Sequence, residues 1–205
     1  MTTTKHTLYA VSTGPSGSKY LTQEAIAVIT SCNTIFYPVT PGGTNPHIAF
    51  DCIKQAVDVS RKQCVGVTFS MSRNEKTTEQ EYETVVNQVS QALTHGDVAF
   101  IAIGDISIYS TAARVADIMQ SKGMNTQFVS GVPSFCVAAG SLKLDLAQTD
   151  EEIRIIPGDA YFKMKARQCS GRRRNKNHNE IRPTPKRHTA CNCTKRHASS
   201  CKSCP

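Results

Sequence analysis

No run of about 18 or more apolar residues occurs in the 205-residue chain, so no transmembrane helix is expected in it. The opening "MTTTKHTLYAV" lacks the basic, apolar and cleavage regions of a signal peptide, so a cytoplasmic protein with reduced cysteines is expected. There are no internal repeats. Neither G-x-G-x-x-G nor G-x-x-x-x-G-K-[ST] is present, which removes the dinucleotide fingerprint and the nucleotide phosphate loop from consideration. Residues 163–205 contain no Leu, Val, Phe, Tyr or Trp. A segment without those residues buries too little apolar surface to offset chain entropy, and disorder is expected there.

The net charge of +8 belongs to that same segment. Residues 1–162 hold 11 Lys and Arg against 15 Asp and Glu, whereas residues 163–205 hold 13 basic residues and a single acid, Glu180. The basic character therefore describes the end of the chain and not the part expected to fold.

Within residues 1–162, short apolar runs alternate with amphipathic ones. "TLYAV" (7–11), "TIFYPV" (34–39), "CVGVTF" (64–69), "VAFIAI" (98–103) and "TQFVS" (126–130) are expected strands. Helical spacing appears in apolar residues from Leu21 to Ile29, in Ala49, Cys52, Ile53 and Ala56, and from Tyr82 to Leu93. It recurs in Ala112, Val115, Ala116 and Met119. Thr78 and Glu81 have capping-box spacing, and Lys122-Gly123 is a helix stop. "VAFIAI" has no polar alternation, the habit of a central parallel strand covered on both faces. The order βαβαβαβαβ predicts an α/β fold on a parallel sheet. Ligands in such folds lie beyond the carboxyl ends of the strands.

Three of those ends carry glycines and hydroxyls. "VSTGPSGSKYLT" follows the first strand, "GDISIYST" (104–111) the fourth and "VSGVPSFCVAAG" (129–140) the fifth. Glycine allows close approach or a positive φ. Asp105 can accept from a cation, an amine or backbone N–H groups. Ser107, Tyr109, Ser110 and Thr111 stand near a helix start, where N–H groups are free. An ordinary strand–turn–helix with Asp105 or Ser107 as N-cap explains the same string. Cys136 can be a nucleophile, but with no His nearby and a Val- and Ala-rich run around it, it reads as a small core residue. His6, His47 and His95 carry no ligand spacing, and no metal site is expected in the folded part.

Together the three strings resemble the tetrapyrrole methylase family, whose patterns are G-x-G-P-G-D after strand one, G-D-P-x-x-Y-S-T after strand four and I-P-G-x-[ST]-[SA] after strand five. "FSMSRN" (69–74) and "LDLAQTDEEIRIIPG" (144–158) are similar to F-x-M-[ST]-R-D and P-L-A-x-x-D-E-x-[LI]-x-[IV]-[IV]-P of the members that methylate C-20 of precorrin-2 or cobalt-factor II in cobalamin biosynthesis. The resemblance covers residues 7–162. It implies S-adenosylmethionine as cofactor, a tetrapyrrole substrate, a homodimer and no membrane. It places Pro15, Ile103, Gly104, Asp105, Ile108, Pro133 and Ser134 at the cofactor, largely through backbone. Phe69, Met71 and Arg73 are placed against the tetrapyrrole, with Arg73 able to pair with its carboxylates, and Tyr109, Ser110 and Thr111 near the cofactor or the tetrapyrrole. Attack of an electron-rich meso carbon on a sulfonium methyl needs alignment and a dry pocket rather than a named base.

Departures from the patterns carry their own expectations. Ile106 replaces proline and is expected to loosen its loop; Ser16 replaces glycine and is expected to take a glycine-like backbone; the proline of "SGVPSF" is displaced. The sequence divides into an N-terminal α/β domain (1–131), the start of a second α/β domain (132–162) and a basic Cys-rich tail (163–205). The abrupt change near Phe162 suggests a frameshift or truncation, with impaired activity. The alternative function is a non-catalytic domain whose tail binds nucleic acid or metal. Cys191, Cys193, Cys201 and Cys204, with His188 and His197 close by, can ligate zinc, although their spacing is only partly typical. The charge run can hold nucleic acid non-specifically, but no aromatic residue is there to stack bases.

Overall fold

In a computed structural model, residues 5–39, 47–69 and 75–157 are described. Five stretches rich in Val, Ile, Phe and Thr are extended, as such residues favour. They are β1 (Thr7–Ser12), β2 (Thr34–Val39), β3 (Gln63–Thr68), β4 (Val98–Ala102) and β5 (Asn125–Val129). The helices are α1 (Gln23–Ser31), α2 (Ile48–Lys54), α3 (Glu75–Ala92), α4 (Thr111–Ser121) and α5 (Ser134–Leu142). The strands form one parallel sheet in the order β3-β2-β4-β1-β5. The expected α/β alternation is thus present, with strand limits within one residue of those read from the sequence.

The chain divides into two compact units, residues 1–137 and 138–205. The sheet lies in the first. β4 is buried along its whole length, and its side chains alternate between two cores. Val98, Phe100 and Ala102 join Leu8, Ala10 and Phe36 beneath α3 and α4. Ala99 and Ile101 join Val11, Ile35 and Val129 against α1 and α2. A strand with apolar residues at every position therefore serves both faces at once. Neighbouring strands β4 and β1 consequently send their chains to opposite faces, β4 into α4 and β1 into α1. Where the connections of adjoining strands diverge in this way is the place where open α/β sheets bind ligands.

Local signals set most helix ends. Thr22 caps α1 by accepting from Ala25 N–H at 3.1 Å. Lys122 ends α4, and Gly123 follows at φ 82. One end differs from expectation: α3 begins at Glu75, so Thr78 and Glu81 lie inside it and form no cap at its start. The apolar pattern marks only the turns that pack, and the polar run from Glu75 to Glu81 carries no such mark.

In the second unit, the last turns of α5 close with Leu144 N–H donating to Ala139 O at 3.0 Å and Lys143 at φ 54. A turn follows, in which Glu151 N–H donates to Gln148 O and Gln148 N–H donates to Glu151 Oε2, both at 2.9 Å. No helix among the described residues is long and apolar enough to cross a membrane. The tail from 163, its cysteines and histidines, and the change of character near Phe162 lie outside the described residues.

Candidate functional site

Three loops meet where β4, β1 and β5 end side by side. Between the first two, Gly14 N–H donates to Gly104 O at 3.2 Å and Gly104 N–H to Gly14 O at 2.8 Å. Both glycines have positive φ, 69° and 80°. A side chain at Gly14 would strike Tyr20, 2.5 Å from its Cβ and 2.9 Å from its carbonyl oxygen. At Gly104 a Cβ would meet nothing within 4 Å. The first glycine is thus required by packing as well as by conformation, and the second leaves open space beside the backbone.

The third loop closes on the other two through Gly131, where a Cβ would fall on Ser12 Cβ and within 3.2 Å of Gly104 O. Asp105 fixes that closure. Its Oδ2 accepts Gly131 N–H at 2.7 Å, and its Oδ1 accepts the amide of Ser107 at 2.9 Å and the Ser107 hydroxyl. The residue is 8% exposed. Burial pushes its carboxyl up, but the bonds from the Ser107 hydroxyl and the Gly131 and Ser107 amides outweigh it and hold the group below its ordinary value. Among the uses open to Asp105, accepting backbone N–H groups is the one the structure shows.

Asp105 and Ser107 are not the N-cap of α4. That place belongs to Ser110, whose Oγ accepts Ala113 N–H at 3.4 Å. The β4 loop is longer than the local pattern implies, because Asp105 is drawn across to β5 before the helix starts. Tyr109 bridges the two parts at φ 50 and is 68% exposed. A bulky residue in that region costs about 1 kcal/mol, a strain often found where a loop must present groups to a ligand.

Two expected weaknesses are absent. Ser16 is not among the residues of positive φ; Gly14 and Gly17 take the left-handed positions of that loop instead. Ile106 does not loosen its loop, since its side chain is buried at 1% exposure and its N–H donates to Ser12 Oγ at 2.8 Å. The β1 loop is held from below as well, because Cys52 Sγ accepts Gly17 N–H at 3.1 Å. Burial pushes the Cys52 thiol up, so it stays protonated in that role.

The sheet gathers most of the residues singled out in the sequence. Pro15, Ile103, Gly104, Asp105, Ile108 and Pro133 lie on the three adjoining loops, and Ser134 is the first residue of α5. Tyr109, Ser110 and Thr111 lie at the β4–α4 junction. Phe69 follows β3 and packs its ring on Tyr82, with centroids 4.9 Å apart. Met71 and Arg73 lie outside the described residues. Cys136 is exposed rather than in the core: α5 buries only Ala139, so a Val- and Ala-rich run there does not mark an interior. Among the described residues no three His, Cys, Asp or Glu side chains gather as a metal site. Ser12, Thr13 and Gly131 lie within the quoted strings but received no role from the sequence. Their signals were a hydroxyl pair closing an apolar strand and a glycine two residues after β5.

The profile of the family described as Tetrapyrrole (Corrin/Porphyrin) Methylases matches residues 7–178. The chain belongs to the tetrapyrrole methylase family. The match runs past Phe162, where the legible strings end. A Methanocaldococcus jannaschii protein described as "Probable cobalt-precorrin-2 C(20)-methyltransferase" is 31% identical over 150 residues, covering 73% of this chain and 63% of that protein. The cobalt-precorrin-2 C(20)-methyltransferase of Salmonella typhimurium is 27% identical, covering 73% and 62%. The chain therefore spans a little under two thirds of the length of these curated relatives. A solved structure from Corynebacterium diphtheriae, described as cobalamin-synthesis-related, superposes with a TM-score of 0.60 at 17% identity, over 77% of this chain and 66% of that one. That likeness concerns the fold of the tetrapyrrole methylases alone.

Proposed function

We propose that this chain is an S-adenosylmethionine-dependent C-methyltransferase that acts on the C-20 meso carbon of precorrin-2 or cobalt-factor II, a step of cobalamin biosynthesis. The observation that carries the reading is the 31% identity over 150 residues to a relative of that description, beside a family match over residues 7–178 that spans all three loops. The loops fit the cofactor. Gly104 leaves open space beside a positive-φ backbone, and Ile103 beside it is 44% exposed at the end of a fully buried strand. Asp105 is committed to backbone N–H groups, so its contribution to the cofactor is the shape of the loop and its own main chain.

When bound, S-adenosylmethionine supplies an electrophilic methyl group. Ile103, Gly104, Asp105 and Ile108 would hold it from the β4 loop, Pro15 from the β1 loop, and Pro133 and Ser134 from the β5 loop. Tyr109, Ser110, Thr111, Phe69, Met71 and Arg73 would receive the tetrapyrrole. The chain's task is then to hold two partners in line and keep water from them, which is where such a transfer gains most of its rate. A homodimer is part of the same reading.

Calorimetric titration with S-adenosylhomocysteine, followed by transfer of labelled methyl to precorrin-2, tests the proposal. Binding at micromolar strength and label at C-20 are expected. A folded chain that gives no heat would overturn the cofactor assignment. Binding without transfer would overturn the substrate assignment.

A further inference from the structure

We propose that Ser12 is a positioning residue for the cofactor loop, acting through the amide of Ile106. The inference rests on the cofactor reading above and names what sets the loop's shape. The Ser12 hydroxyl is fully buried at the end of β1 and accepts Ile106 N–H at 2.8 Å across 94 residues of sequence. That bond joins the β1 and β4 loops directly below the paired Gly14 and Gly104 amides. It also sits against the third loop, because Gly131 packs on Ser12. Ser12 thus touches all three segments proposed to hold the cofactor: its hydroxyl bonds the β4 loop, and Gly131 of the third packs against it.

The two residues are departures from the family patterns that answer each other. Ser12 stands where G-x-G-P-G-D has its first glycine, and Ile106 stands where G-D-P-x-x-Y-S-T has its proline. A proline has no N–H to satisfy and fixes its own φ. Replacing it frees a buried donor, which is costly unless an acceptor is supplied. A glycine at position 12 supplies none; a serine does. The loop is therefore held by a hydrogen bond where the pattern holds it by a ring. Asp105 extends the effect, since the residue bonded to Ser12 follows it directly. A shift of Ile106 would move the carboxylate that receives the Ser107 and Gly131 amides.

The test is a double-substitution cycle of Ser12→Ala, Ile106→Pro and the two combined, in the full chain. Amide exchange at Ser107 and Gly131 reports loop order without any ligand. S-adenosylhomocysteine affinity by calorimetry reports the site. Ser12→Ala should speed both exchange rates and weaken binding, each by about tenfold. The combined variant should bind within about threefold of the wild type, although it melts lower for want of the Ile106 side chain. A merely structural role predicts the reverse, because removing a second buried group only adds damage. Unchanged exchange in Ser12→Ala overturns the proposal, as does a combined variant that binds no better than Ser12→Ala. If the wild type binds no S-adenosylhomocysteine, the cofactor reading falls and the proposal falls with it, whatever the exchange rates show. If the proline variants do not fold, the exchange and affinity of Ser12→Ala decide the matter.

Discussion

Two aspartates bracket β4, and both accept a backbone N–H from a neighbouring segment. Asp97, before the strand, accepts Thr7 N–H at 2.8 Å and faces His6 Nδ1 at 3.5 Å, with its side chain 39% exposed. Asp105, after the strand, accepts Gly131 N–H at 2.7 Å with the residue 8% exposed. The chemistry is the same and the setting is opposite. At the amino end water can replace what the protein provides. At the carboxyl end it cannot, and three of the four buried polar residues described, Ser12, Thr13 and Asp105, cluster there. Polar groups are tolerated in the interior where they fix loops that must hold one shape, and that end of the sheet is where a ligand is expected.

The sharpest way to break the contrast is Asp105→Ala. The Gly131 and Ser107 amides lose their acceptor in a partly dry site, and each such loss costs about 1–3 kcal/mol. A fall of about 3 kcal/mol in urea unfolding is expected, together with loss of S-adenosylhomocysteine binding. The intact chain should show the same dependence through pH. The Asp105 carboxyl is held below its ordinary 3.8, so its contribution is fully present above that value. It is lost as pH falls through the lowered folded value. The acid limb of stability should therefore lie below pH 3.8 for this group and disappear in Asp105→Ala.

Gly131→Ala tests the same closure from the other side. The added methyl falls on Ser12 and close to Gly104 O. Overpacking of this kind costs about 1–3 kcal/mol. A Tm shift alone would not identify the cause; faster exchange at Ser107 would, because it reports the Asp105 bonds that hold the β5 loop.

Gly104→Ala separates shape from stability. Its methyl meets no neighbour, so only the positive φ opposes it, at about 1 kcal/mol. The methyl does enter the open space assigned to the cofactor. Affinity for S-adenosylhomocysteine should fall by more than the stability change accounts for. Equal falls in both would count against Gly104 as a contact.

What the sequence disclosed follows the range of the interactions. Strands, helices and the three glycine-bearing loops depend on residues close in the chain, so their periods and punctuation were visible. The bond from Ile106 to Ser12 spans 94 residues, and that from Gly131 to Asp105 spans 26. No local pattern encodes either. The readings that needed correction were those resting on a single substitution in a motif, at Ser16 and Ile106, or on a local cap, at Thr78, Asp105 and Ser107. At Ile106 and Asp105 a partner distant in sequence decided the conformation; at Ser16 the neighbouring glycines took the positive φ, and at Thr78 the helix already runs from Glu75. Cys136 was misplaced for a related reason: an apolar run shows that a helix can be buried but not that a given residue in it is.

Asp97→Ala should be the mildest change and is the control for the whole comparison. Its exposed side chain loses one amide contact and one partner in His6, and water replaces both. Less than about 1 kcal/mol of stability should go. S-adenosylhomocysteine affinity should not move, because Asp97 lies at the far end of a strand whose five residues are all buried. A loss matching that of Asp105→Ala would mean that the registry of β1 against β4, and not the burial of the carboxylate, controls the loops. The distinction drawn between the two ends of the sheet would then fail.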